Sequence, residues 1–293
     1  MENTQNTPMS PTPIAASNPL AKYFRQPAIY TKLPSKGAFW PDGAVELPVT
    51  GDIPVYPMTA RDEITLRTPD ALMNGSSVVE VVHSCCPSIK NAWKMPSVDV
   101  DATLIAIRIA SYGPEMDVDT ICPHCKEENN HAIDLRLVLS NIKCPDYSSK
   151  LTTHNLKIKL KPQEFFGTNR QNTISYEEQR IMQSLSNVDL DNTVKADQIA
   201  KSMANLVEIG INSVVESTEY IELEDGTIVS QKEFIKEFYN NSDGAVMRDV
   251  QERIGQLNAE GSIAPLPVTC TSCAKSYEVP LEFDYANFFA SGS

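Results

Sequence analysis

Histidine and glycine are scarce in this sequence, and long apolar runs are missing. Only four histidines (His83, His124, His131 and His154) and 12 glycines occur in 293 residues. There is no Gly-rich phosphate loop, no Gly-X-Ser-X-Gly elbow and no His-Glu-X-X-His, so the motifs that most often carry phosphoryl, acyl and metallo-hydrolase chemistry are absent. Acid pairs such as Asp62-Glu63, and Asp99 with Asp101, fit helix starts better than acid–base work, and no enzymatic activity is expected. No stretch approaches the roughly 18 consecutive apolar residues of a membrane-crossing helix, so no membrane partner is expected. The first thirty residues hold no continuous apolar run, so a secretory signal is not expected either and the chain reads as made and kept in a cytoplasm. Disulfides are rare in that compartment, which leaves the seven cysteines to be explained in another way.

Positive charge is in short supply as well. Lys and Arg total 25 against 38 Asp and Glu, for a formal charge of −13. An excess of this sign repels nucleic acid unless a local basic face overrides it, so no nucleic-acid partner is expected. Hydrophobic content of 41% and charged content of 22% are ordinary for a globular chain, and the length allows one large domain or two modest ones.

What is present divides the chain into four parts. Residues 1–28 hold five prolines among Ser, Thr, Asn and Ala, and read as an extended arm that either stays loose or orders on a partner through Tyr23, Phe24 and Tyr30. Residues 29–164 read as an α+β domain. Val45–Val49 and Ile53–Val55 alternate like edge strands. Thr59 caps a first helix, a short helix covers about 69–73, and another spans 76–85. Asp99 or Asp101 caps a further helix that stops at Gly113-Pro114. Residues 165–260 read as a mostly helical insertion, with helices near 175–187, 193–217, 231–240 and 243–258. Ser230 to Glu233 has a capping-box pattern. Ile199, Met203, Leu206, Ile209 and Val214 form a helical stripe read as core, with a docking face as the alternative. Residues 261–293 return to the style of residues 119–136.

That return rests on cysteine. Cys122-Pro123-His124-Cys125 and Cys270-Thr271-Ser272-Cys273 are two Cys-X-X-Cys pairs, and each spacing lets both thiolates of a tight turn face one metal ion. The flanks match too: Thr120-Ile121 and Val268-Thr269 precede the pairs, and Ile133-Asp134-Leu135 and Val279-Pro280-Leu281 follow them. Each half looks like a rubredoxin-type knuckle on a small hairpin. Together they predict a split four-cysteine zinc ribbon, with Zn2+ in a closed structural site. A redox dithiol and an iron centre are the rival readings. Cys85, Cys86 and Cys144 are read as small buried hydrophobes, and a second metal at His83 or a ligand role for His124 are the alternatives to inert residues.

Three stretches then carry a resemblance: Leu33-Pro34-Ser35-Lys36-Gly37-Ala38-Phe39-Trp40, Pro57-Met58-Thr59-Ala60-Arg61-Asp62-Glu63, and Ile105 through Gly113 (Ile-Ala-Ile-Arg-Ile-Ala-Ser-Tyr-Gly). With Cys122-Pro123-X-Cys125 they resemble the baseplate hub family of T-even-like contractile-tailed phages, over about residues 30–140. The resemblance implies a non-enzymatic structural component at or near the hub of a phage tail baseplate. It would be assembled in the host cytoplasm, resident in the virion, and present in several copies of a symmetric assembly. Its implied partners are other baseplate and hub proteins and the tape measure. The alternatives are a transient assembly chaperone absent from the virion and a zinc-ribbon nucleic-acid adaptor. Within the motif stretches Arg61, Asp62 and Arg108 are candidates for an internal ion-pair network, and Phe39 and Trp40 for core or interface anchors.

Overall fold

The computed structural model describes residues 18–67, 75–187, 192–281 and 288–289. Most of the expected arm and the short helix at 69–73 lie outside these residues. The fold is α+β, with eight helices and small antiparallel sheets among the described residues.

The first core forms around two apolar helices. Strand β1 (Ile29–Lys32) pairs with β2 (Asp52–Val55). Helix α1 (Ala60–Leu66) opens with the Thr59–Asp62 capping box, in which each side chain accepts from the other residue's backbone N–H. Helix α2 (Ser76–Cys85) buries Val78, Val79, Val81, Val82 and Cys85. Helix α3 (Ser97–Tyr112) is apolar nearly all round and therefore lies at the centre, with Leu104, Ile105 and Ile107 fully covered.

Two local expectations change here. Val45–Val49 forms no strand: Val45 makes one bridge to Ile89, and Glu46 N–H donates to Ser88 O, so the loop after α2 has taken its backbone groups. Asp99 does not cap α3. It lies in the first turn, fully buried, and accepts from Ser35 N–H (2.8 Å), Ser35 Oγ and Trp40 Nε1 (2.7 Å). It therefore staples the turn at 33–40 onto α3. Burial pushes its carboxyl up, while the Ser35 and Trp40 donors pull the other way.

A second core lies beside a four-stranded sheet of order β5-β6-β7-β8: Lys150–Thr153, Leu156–Leu160, Thr218–Glu222 and Ile228–Val229. Helices α5 (Phe165–Asn187), α6 (Asn192–Ser217), α7 (Lys232–Asn241) and α8 (Gly244–Gly261) complete this region. Ile158, Leu160, Val214, Ile221, Ile235 and Val250 form its centre, and Tyr147 joins them. The core thus begins ahead of residue 165. Strand β7 had no counterpart in the sequence reading, and Ser230 caps nothing, because Gln231 is the residue that precedes α7. The α6 stripe is only partly core: Val214 is buried, but Ile199 and Met203 are 40% and 47% exposed. Near the middle of α6, Asn205 Nδ2 donates to the buried Glu178 of α5 (2.6 Å).

Candidate metal centre

Two hairpins carry the cysteine pairs. In the first, β3 (Glu115–Ile121) pairs with β4 (Glu128–Asp134) over seven residue pairs. It leads into α4 (Leu135–Asn141), capped by Asp134 accepting from Arg136 N–H. In the second, β9 (Leu266–Thr269) pairs with β10 (Ser276–Val279) over four. The connecting turns are copies of one another. Lys126 N–H donates to Cys122 O, and Ala274 N–H donates to Cys270 O, both at 3.0 Å. Cys122 N–H donates to Glu127 O, and Cys270 N–H to Lys275 O, again both at 3.0 Å. Four residues past each first cysteine the chain enters the left-handed region, at Lys126 (φ 66°) and Ala274 (φ 57°). That conformation turns the strand back and leaves both thiols of each pair on one side.

The turns face each other. Cys122 Sγ lies 3.8 Å from Cys273 Sγ, Cys125 Sγ lies 3.5 Å from Cys270 Sγ, and all four sulfurs fall within 4.8 Å of one another. A tetrahedron with metal–sulfur bonds of about 2.3 Å has edges of about 3.8 Å, so the four sulfurs fit the shell of one zinc-sized ion. Cys122 and Cys270 are buried, and Cys125 and Cys273 half-buried.

Two of the thiols are shifted in opposite directions. The Cys273 amide donating to its sulfur (3.4 Å) leads the effects that lower the Cys270 thiol to about 6, against the opposing effect of burial. The Cys125 thiol is lowered by the Glu127 amide, but burial and the neighbouring sulfurs outweigh this and push it up to about 12. A divalent cation bound there would take all four as thiolates, since a coordinating thiol gives up its proton.

Sequence reasoning missed the polar contacts that seat one hairpin on the other. Asn129, 4% exposed, accepts on Oδ1 from Thr271 N–H and Thr271 Oγ1, both at 2.8 Å, and donates to Glu127 O at 3.0 Å. Tyr277 OH lies 2.7 Å from Thr120 Oγ1 and 3.0 Å from His131 Nε2. Asn129 and Tyr277 stand at the same position of the two hairpins, opposite Thr120 and Val268 respectively. The common offset of seven residues from each first cysteine was visible in the sequence.

The remaining candidates lie elsewhere. His124 is exposed and outside the sulfur cluster. His83 Nε2 accepts from Ala92 N–H (2.9 Å), and burial lowers its pKa. Cys85 and Cys86 are fully buried in the first core, where burial pushes Cys85 up to about 12 and Cys86 up as well; Cys144 is half-buried. Arg61, Asp62 and Arg108 do not form one network. Asp62 pairs with Arg25 (3.3 Å), while Arg61 is exposed. Arg108 is buried within α3, donates to Phe288 O (2.7 Å) and lies over the Phe288 and Tyr112 rings. Phe39 is 37% exposed and meets Tyr147 edge-on, and Trp40 is half-buried.

Among the described residues no helix is long and apolar enough to cross a membrane. The chain has no match among curated proteins or solved structures. Residues 29–290, from β1 past the second knuckle, match the family model described as T4 bacteriophage base plate protein. With that match spanning both cores and both cysteine hairpins, the chain belongs to the T4 bacteriophage base plate protein family.

Proposed function

We propose that this chain is a lasting structural part of a contractile-tail baseplate, at or next to the hub, and that one zinc ion held by Cys122, Cys125, Cys270 and Cys273 closes its fold. The observation that carries the reading is the four-sulfur cluster, set between hairpins far apart in the sequence of a baseplate-family chain. Four thiolate ligands fill a tetrahedral shell and leave no position for substrate, so the metal's role is to cross-link. In this reading the zinc ties residues 261–293 back to residues 29–164 around the insertion at 165–260. The protein then acts through contacts with other baseplate and hub proteins and with the tape measure, in several copies per particle, without chemistry of its own.

Quantitative mass spectrometry of purified virions, with metal analysis of the purified chain, tests both parts. A fixed copy number relative to other baseplate proteins, and one zinc per chain, is the expected result. Presence in assembling extracts but absence from finished particles would replace the structural part with an assembly chaperone. A metal-free chain whose stability is unchanged by Cys273→Ser would remove the zinc.

A further inference from the structure

Seven of the 16 lysines on this acidic surface have a carboxylate beside them. Lys90, Lys94, Lys150, Lys157, Lys201, Lys232 and Lys236 each pair with a Glu or Asp. Three of the lysines outside these pairs line one cleft. It has a volume of about 790 Å³ and runs between β1 with its following turn and α4 with its following loop. Lys32 and Lys36 line one wall, Arg136 and Lys143 the other, and Asp52 is the one acid in the lining. Arg136 is paired with Asp134 (2.7 Å). Lys32, Lys36 and Lys143 are exposed and make no ion pair among the described residues.

The same wall carries a free strand edge. β1 pairs with β2 alone, and Tyr30 stands opposite Pro54. Proline has no N–H, so Tyr30↔Pro54 is a non-hydrogen-bonded pair of the antiparallel ladder. By the alternation of such ladders, Tyr30 and Lys32 turn their N–H and C=O groups toward the outer edge. No other strand among the described residues pairs with that edge. Tyr30, 67% exposed, adds an apolar surface beside it.

We infer that this cleft is a docking site for an extended acidic segment of a partner protein, which adds as a strand to the outer edge of β1. An added strand presents every second side chain to the same face. Carboxylates at alternate positions would therefore meet Lys32, Lys36 and Lys143, while backbone hydrogen bonds to Tyr30 and Lys32 set the register. Nucleic acid is a poorer match, because it has no peptide N–H and C=O groups to pair with a strand edge. The inference does not depend on where in the baseplate the chain resides.

The test is fluorescence anisotropy on the full chain with a labelled Thr-Asp-Val-Asp-Thr-Glu-Val-Asp peptide. Saturable binding that weakens as salt rises is expected, and Lys32→Glu with Lys143→Glu should weaken it about tenfold or more. Both residues are exposed, so thermal unfolding of the double variant should match the wild type. Lys36→Gln, a milder change in the turn, should give a smaller loss in the same direction. The peptide N-methylated at alternate residues along its pairing edge should not bind. Absence of peptide binding, binding unchanged by these substitutions, equal binding of the N-methylated peptide, or tighter binding of an oligo-dT strand would each overturn the proposal.

Discussion

The two cysteine hairpins have nearly superimposable turns and very different foundations. The first extends over seven residue pairs, buries Met116 and Ile133 in the first core, and continues into α4 through the fully buried Leu135. The second has four pairs, alternates half-buried with exposed side chains, and fully buries only Val279 on its strands. The same Cys-X-X-Cys spacing thus rests on extensive packing in one case and on a small apolar contact with cross-hairpin hydrogen bonds in the other. The first knuckle is a platform, and the second adds a grip through the sulfur cluster, Asn129 and the Thr120–Tyr277 contact to a smaller apolar footing, Leu266 and Leu281 against the first core.

The largest expected effect breaks that grip. Cys273→Ser, or chelation of the wild type, should abolish stoichiometric zinc and lower stability by up to about 5 kcal/mol, the scale of a cross-link closing a loop of more than 100 residues. Hydrogen exchange would sharpen the contrast between the hairpins. Amides of β9 and β10 should lose protection, while those of β3 and β4 keep most of theirs. Equal loss in both hairpins would mean that the first also depends on the metal.

An intermediate effect is expected from the polar seat. Asn129→Ala leaves the Thr271 N–H and hydroxyl without their acceptor and should cost about 2 kcal/mol in thermal unfolding of the metal-loaded protein. Tyr277→Phe removes one hydroxyl and should cost about 1 kcal/mol. If Tyr277→Phe proved the more damaging, the Thr120–His131 side would be the principal contact.

The smallest effect concerns the left-handed residues. Lys126→Gly and Ala274→Gly each relieve about 1 kcal/mol of backbone strain, partly offset by a more flexible unfolded chain, so a gain of about 0.5 kcal/mol is expected at each. A loss at Lys126 alone would mean that its side chain contributes packing that Ala274 does not.

Features that depend on a few neighbouring residues were readable from the sequence. Thr59 caps the first helix, the helix over 76–85 has those bounds, and the two Cys-X-X-Cys turns adopt matching conformations. Features that depend on distant pairing were not. Asp99 looks like a helix cap until Ser35 and Trp40, about sixty residues earlier, are known to donate to it. Asp62 was grouped with Arg61 and Arg108 because they share motif stretches, whereas its partner, Arg25, comes from the segment read as an arm. β7 follows the long α6 without a turn signal, and its strand character comes from pairing with β6. Charge counting gave the acidic balance but could not show that three unpaired lysines line one cleft.

Order of synthesis gives the split ribbon a further consequence. The first Cys-X-X-Cys pair leaves the ribosome before the second by roughly 145 residues. At about 5–20 residues per second, that interval lasts on the order of 7–30 s. Throughout it the first hairpin can fold on its long ladder, but it offers only half a coordination shell. Under the proposed zinc closure, the cross-link is therefore a late event in the life of each new chain, and it reports that everything between the two knuckles has already been made.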